Sequence, residues 1–538
     1  MNARKVLVFI ATALAFGCAQ AAPAVQATLT LGNNTQGIAI DPALAKAYVT
    51  NFDDNTVSII DINALTVVAT LNVAPKPRRI ITDAATHRVY LSNSTAPGTV
   101  TVIDGTTNTI VTTIAVGNDP RGLGSNFFIG EIFVSNVADN TISVINTATN
   151  VVAATIPVGK SPGGPDSNDI LQKLYIPSFA DNTVSVIDEQ TLALIATIPV
   201  GKGPGNAAID GLDGKVYVNN QSDKTVSVIS STTDTVIATL PSGMGGTGST
   251  SNFVTFNAAY HKAYLPNAVD GTLTIIDTLS DTVTNTVAVG TTPVAALVEP
   301  NGGNIYVLNQ GSNSVTILDA GAETVVDNLA VGALPTIIAD GLDHIFVVNS
   351  NGPSTDTITI AAEEDTLANT AIANEFYEAD FNHYFHTDNE IEFRLLVDGI
   401  FGNAWHRTFE LWRVWTAPGP GRAPVCRFFS TAFGAKSSHF YTPYAAECQA
   451  LQTNPALSSV WQLESAAVYY LALTDATGNC PAGTAALYRV YNSGMGGAPN
   501  HRYTSDPAIR AFMLTQGWVA EGNGPDLIFA CTPTLLSG

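Results

Sequence analysis

The segment YVTNFDDNTVSIID, which begins at Tyr48, reads as two strands joined by a tight turn, because apolar side chains alternate on either side of an Asp-Asp-Asn break. Asp and Asn tolerate the positive φ angles that short hairpin turns require. The segment returns as YLSNSTAPGTVTVID at Tyr90, FVSNVADNTISVIN at Phe133, YIPSFADNTVSVID at Tyr175 and YVNNQSDKTVSVIS at Tyr217. It continues as YLPNAVDGTLTIID at Tyr264, YVLNQGSNSVTILD at Tyr306 and FVVNSNGPSTDTITI at Phe346. These copies start 42, 43, 42, 42, 47, 42 and 40 residues apart. In the first unit GIAID from Gly37 precedes the segment and VVATLNV from Val67 follows it, so each unit predicts four strands. One such sheet cannot bury both of its faces, so units of this kind stack or close into a ring.

Closure has its own trace. The eighth unit stops after its third strand at Ile360, and a spare fourth-strand segment, ATLTLG from Ala27, precedes the first unit. Pairing strand 27–32 with the last unit would complete it and remove exposed edges. The expectation is an all-β chain in which 27–360 forms an eight-bladed β-propeller, with seven blades as the alternative count. The tetrad from Tyr48 to Asn51, the NTVSVID run from Asn182 and the VAATIPVG run from Val152 resemble the YVTN-repeat β-propeller family. Similar propellers occur in surface-layer proteins, lactonase-like enzymes, haem d1 proteins and exported binding proteins, so the resemblance implies a fold more than a function.

Composition agrees with strands and turns. Only 13% of residues are charged, and the net charge is -22. An acidic balance disfavours nucleic acid and anionic lipid as general partners. Residues 1–21 read as a secretory signal: Arg4 and Lys5, an apolar run from Val6 to Phe16, then Ala19-Gln20-Ala21. The run is too short for a membrane span, which needs about 20 residues, and no other segment suits one. Export to the periplasm or beyond the cell follows, with a lipoprotein anchored through Cys18 as the alternative. Removal of the signal would take Cys18 and leave four cysteines, an even number that suggests two disulfides in an exported protein.

The loops that lead from each fourth strand to the next first strand carry Lys76, Arg78, Arg79, Arg121, Lys160 and Lys202. Those are half of the 12 basic residues in 27–360, a region with 28 acidic ones. They predict a basic crescent at one channel mouth that could take a carboxylate, a phosphate or an acidic glycan. The competing expectation pairs them with hairpin acids, including Asp53, Asp54, Asp139 and Asp181. His87, His261 and His344 sit in dissimilar loop positions and read as solvated turn residues. No haem-attachment motif, metal cluster or catalytic constellation is evident, so no cofactor is implied.

Composition changes after Ile360, through a linker at 361–372 that holds Glu363, Glu364 and Asp365. All five tryptophans lie beyond it. Region 373–538 repeats three times, marked by HYFHT at His383, HFYT at His439 and HRYT at His501. Helical stretches follow at AAECQALQ from Ala445 and AIRAFMLTQG from Ala508, the latter closed by glycine. This domain resembles an uncharacterised threefold HFYT-repeat family of exported bacterial proteins, and three related units suggest a pseudo-threefold, trefoil-like arrangement containing short helices. His439, Tyr441, Trp461, His501, Tyr503 and Trp518 are its candidate glycan contacts, with shared packing as the competing role. Cys426 with Cys448 and Cys480 with Cys531 is the pairing expected among three connectivities.

These readings lead to a monomeric, exported, non-enzymatic binding or surface-interaction protein. The propeller would hold an anionic small molecule, a glycan or another cell-surface protein, and the C-terminal domain would serve attachment or glycan recognition. The alternative is a lactonase-like or glycan-cleaving hydrolase acting at the channel face.

Overall fold

A computed structural model describes residues 24–533 apart from 128, 169–170, 211–213, 243–253, 258–259, 300–302, 343, 351–354, 363–369, 379–382, 390–391, 393–395, 397–404, 434–435, 482 and 494–498. The signal segment, Cys18 and the linker acids lie outside the described residues. No helix among the described residues is long and apolar enough to cross a membrane.

The described residues from 25 to 362 build a β-propeller-like, all-β region of eight four-stranded antiparallel sheets. The first sheet comprises Thr35–Asp41, Lys46–Asn51, Thr56–Asp61 and Thr66–Asn72, in chain order. Six more follow the same order, opening on Pro77–Asp83, Pro120–Asn126, Asp166–Asn168, Pro204–Asp210, Thr255–Asn257 and Pro293–Val298. The last departs from it: Pro335–Gly341, His344–Asn349 and Thr357–Ala362 are completed by Val25–Thr30 from the start of the chain. Thr28 pairs Thr359 and Thr30 pairs Thr357, so the expected splice of the two ends is present, beginning two residues earlier than the sequence suggested. The opening strand of the first sheet also packs beside that of the eighth.

Apolar cores lie between sheets rather than within them. Tyr48, Val57 and Ile59 of the first sheet pack with Ile80, Val89, Leu91 and Ile103 of the second. Phe346, Ile358 and Ile360 of the eighth pack with Ala47, Val49 and Ile60 of the first. Each fully buried aliphatic side chain contributes about 1.5–3 kcal/mol, so adjacent sheets depend on one another.

The tetrad asparagine has a structural task. Asn51, wholly buried, donates through Nδ2 to Thr56 Oγ1 (2.9 Å) and Ser58 Oγ (3.0 Å). Asn136, Asn220, Asn267 and Asn309 repeat this pair of bonds across the hairpin. The loop glycine explains the other recurrent motif, Val-Gly: a Cβ on Gly117 would lie 2.6 Å from the Asn136 side chain.

At the opposite end, lysines tie sheet to sheet. Lys46 Nζ donates to Asn108 Oδ1 (2.9 Å), and Lys173 and Lys215 reach Asp234 (2.7 Å) and Asp281 (2.9 Å) of the following sheets. His87 joins this set by bonding buried Asp41 at 2.9 Å, and His344 Nε2 meets Gln26 Oε1 of the closing strand at 2.9 Å. His87 is thus a turn residue, with φ of 54°, that is also engaged between sheets, while His344 opens a strand and meets the closing one.

The C-terminal region contains three hairpins in matching register. Glu375 faces His386, Arg427 faces Tyr441 and Arg489 faces Tyr503. Strands Trp405–Trp415, Tyr470–Ala472 and Ala530–Pro533, one from each repeat, lie side by side in one nine-stranded sheet. Helices α1 (Ala445–Thr453) and α3 (Pro507–Thr515) fall where the second and third repeats predict them, and a short unpredicted turn of helix, α2 (Pro455–Ser458), follows α1. Both expected disulfides are present, Cys426 with Cys448 and Cys480 with Cys531.

Candidate functional site

The basic loops and the second-to-third-strand hairpins share one end of the sheets, because the hairpin tips hold the loops. Asp54 accepts the Asn33 N–H (2.8 Å), Asp139 that of Asn118 (2.7 Å), Asp181 that of Lys160 (2.8 Å) and Asp223 that of Lys202 (2.7 Å). The next residue holds the following loop: Asn55 accepts from Lys76 N–H (2.9 Å), Asn140 from Ser161 (3.0 Å) and Asn182 from Gly203 (2.9 Å). The Asp-Asn pair is therefore a double staple and a turn at once; its asparagine takes positive φ, 58° at Asn55. Of the hairpin acids weighed as partners for the basic side chains, Asp54, Asp139 and Asp181 are engaged instead by backbone N–H groups.

On this scaffold the arginines of the second and third sheets converge. Lys76 Nζ stands 4.5 Å and Arg78 Cζ 5.5 Å from the ring centre of Phe52, the residue after the first tetrad. Lys76 also meets Asp53 at 3.3 Å, where both side chains are about half exposed and worth little to one another. Arg121 holds Asp119 through Nε (2.9 Å) and Nη2 (2.8 Å). Burial would raise the Asp119 carboxyl, but hydrogen bonds from Arg121 and Ser94 keep it below its ordinary value.

Among the described residues Arg78 has no such acid of its own, and its buried Nε meets no hydrogen-bond partner. Burial and then the charge of Arg121 disfavour its protonated form, with Asp119 compensating in part. Burial and the charge of Arg78 lower Arg79 in the same way. Arg78 and Arg121 held this close over one shared acid, Asp119, leave a net positive potential into which an anion fits. Lys160 and Lys202 extend the crescent; both are exposed and neither has an acidic side-chain partner among the described residues. The sequence reading missed Phe52, Asp119 and the staples. A phenylalanine after the tetrad in only two of eight copies was the available signal.

The C-terminal candidates are placed differently. Tyr441 and Tyr503 are 1% and 2% exposed and link neighbouring hairpins: Tyr441 Oη donates to His386 O (2.7 Å), and Tyr503 Oη to Tyr441 O (2.7 Å). His439 and His501 lie against Glu464 (3.3 Å) and Glu521 (3.4 Å), with burial lowering both imidazoles. Trp518 is buried among Val490 and Met513, and Trp461 packs on Phe440. Stacking on a sugar needs a free ring face, which the buried Tyr441, Tyr503 and Trp518 do not offer.

Sequence reasoning also missed the charged network of this domain. Arg427 binds Glu392 bidentately (2.7 and 2.8 Å) and Glu464 (3.0 Å), and Arg489 binds Glu447 (3.0 and 3.2 Å) and Glu521 (2.7 Å). The first repeat inverts the pattern: Glu375 stands where the other repeats have arginine, and Arg502, in the place of Phe440, supplies its cation at 3.0 Å.

Residues 373–525 match a domain family of unknown function, DUF5648. No curated protein matches the chain. Among solved structures, it is similar to dihydro-heme d1 dehydrogenase NirN in complex with DHE, with a TM-score of 0.47 and 17% identity over 56% of this chain. The match spans 66% of that protein's length. It is also similar to Kuenenia stuttgartiensis hydrazine synthase, with a TM-score of 0.42 and 15% identity over 62% of this chain and 97% of the other.

Proposed function

We propose that this protein is an exported, non-enzymatic binding protein whose propeller takes up an anion at the mouth formed by the second and third sheets. The eight sheets are read as eight blades of a YVTN-type propeller, and the C-terminal domain as a pseudo-threefold, trefoil-like attachment module. The observation that carries the reading is Arg78, a part-buried guanidinium with an unpartnered Nε held beside Arg121. A buried polar group without a partner costs roughly 1–3 kcal/mol, which a bound carboxylate or phosphate would recover. Two disulfides suit an oxidising compartment.

The test is calorimetric titration of the whole protein with citrate and with inorganic phosphate, beside the Arg78→Ala and Arg121→Ala variants. Binding of at least one anion, weakened about tenfold or more by either substitution, is expected. Binding of neither anion, or unchanged binding by both variants, would remove the reading.

A further inference from the structure

The eight hairpins are not equivalent at the residue after the tetrad. Six carry Ser94, Val137, Gln221, Ala268, Gln310 or Ser350 there, and only the first and fourth carry phenylalanine, Phe52 and Phe179. Phe52 is covered by Lys76 and Arg78. Phe179 is 48% exposed and belongs to neither of the apolar cores that flank its sheet.

Its surroundings fix the ring at the mouth. Phe179 N–H donates to Ser161 O (3.1 Å) and Ala180 N–H to Lys160 O (3.3 Å), which binds the hairpin to the Lys160 loop. On its other side the ring lies over Gly203, where a Cβ would come within 3.2 Å of Phe179 Cε2. Gly203 has φ of 65°, so the Lys202 loop reaches the ring through a residue without a side chain. An exposed aromatic face therefore stands between two loops that each present an uncommitted lysine, one sheet on from Arg121 and two from Arg78.

An exposed ring flanked by cations matches a ligand that is apolar on one face and anionic at its edge. A pyranose ring with a carboxylate has that form: its C–H face stacks on the aromatic ring while its acid meets an ammonium. Repetition of the combination around the rim, with phenylalanine and cations at one end and again at the other, asks for more than one such unit. We infer that the anion bound at the mouth is an acidic sugar chain, with one uronate-type unit on Phe179 between Lys160 and Lys202 and another unit's carboxylate at Arg78 and Arg121. This deepens the anion-binding reading and rests on it.

Oligogalacturonates of one, two, four and six units, titrated into the whole protein, separate the two claims. Affinity should rise with length, by about tenfold or more from monomer to tetramer, as a second contact becomes intramolecular. Phe179→Ala should erase that gain while leaving citrate binding at the arginine pocket unchanged. Because Phe179 is exposed, its removal leaves the fold intact, checked by an unaltered circular dichroism spectrum. Lys160→Ala with Lys202→Ala should act like Phe179→Ala. Equal affinity for monomer and tetramer, or tetramer binding indifferent to Phe179→Ala, would overturn the sugar-chain inference even where citrate still binds. Loss of all anion binding by the wild type would instead strike the underlying reading.

Discussion

Glu131 interrupts the lysine ties between sheets, and its replacement gives a prediction with a definite sign. The first residue of each second strand is Lys46, Arg88, Glu131, Lys173, Lys215, Lys262, Asn304 and His344 in turn. The turn residues that receive these side chains from the preceding sheet include Asn108, Asp234 and Asp281, but the turn facing Glu131's sheet has Leu192. Glu131 Oε2 is consequently buried with no hydrogen-bond partner among the described residues, and burial pushes its carboxyl up from an ordinary 4.5 to about 7. The folded state thus holds this proton more tightly than the unfolded chain does. Its contribution is favourable below about pH 4.5, is lost as pH rises toward 7, and leaves the full penalty above that. The interval sets a ceiling of roughly 3 kcal/mol, and partial exposure of the side chain to water reduces the expected value to on the order of 1–2 kcal/mol. Glu131→Gln keeps the shape and removes the charge. Denaturant unfolding followed by far-ultraviolet circular dichroism should show the variant more stable by that amount at pH 8 and equal to wild type at pH 4.5. A difference of the same size at both pH values, or none at either, would refute the buried, unpartnered carboxylate.

Other outcomes follow from the same contacts. Gly117→Ala drives a Cβ to 2.6 Å from Asn136 and should break its bonds to Thr141 and Ser143, costing about 2–3 kcal/mol in denaturant titration. Because all five tryptophans lie beyond residue 400, tryptophan fluorescence reports the C-terminal domain alone. Reduction of the disulfides, whose cysteines are 22 and 51 residues apart, should destabilise that signal by about 3 and 4 kcal/mol respectively, and leave the propeller's circular dichroism transition in place. Glu375→Arg and Arg502→Glu should each cost about 3–5 kcal/mol by leaving a buried charge alone, while the double exchange recovers part of the loss in the same fluorescence assay.

Much of the architecture is local and therefore readable from the chain. Period-two alternation and Asp-Asn turns set each four-stranded unit, and the pairing of a spare first strand with Thr357–Ala362, though not its register, follows from what the eighth unit lacks. The cysteine pairing was legible because each pair falls within one repeat. The candidate site was legible only as a set of basic loops.

The sequence by itself determined that strands, hairpins and repeats would form, since alternation and turn chemistry act over a few residues. Only the tertiary structure decided that Arg78 would stand beside Arg121 with its Nε unpartnered, and that Phe179 would lie over the Gly203 loop. It likewise buried Tyr441 and Tyr503 between hairpins and left Glu131 facing a leucine turn. Those outcomes depend on which side chains neighbouring sheets and repeats bring together across tens of residues, and on how much water remains between them.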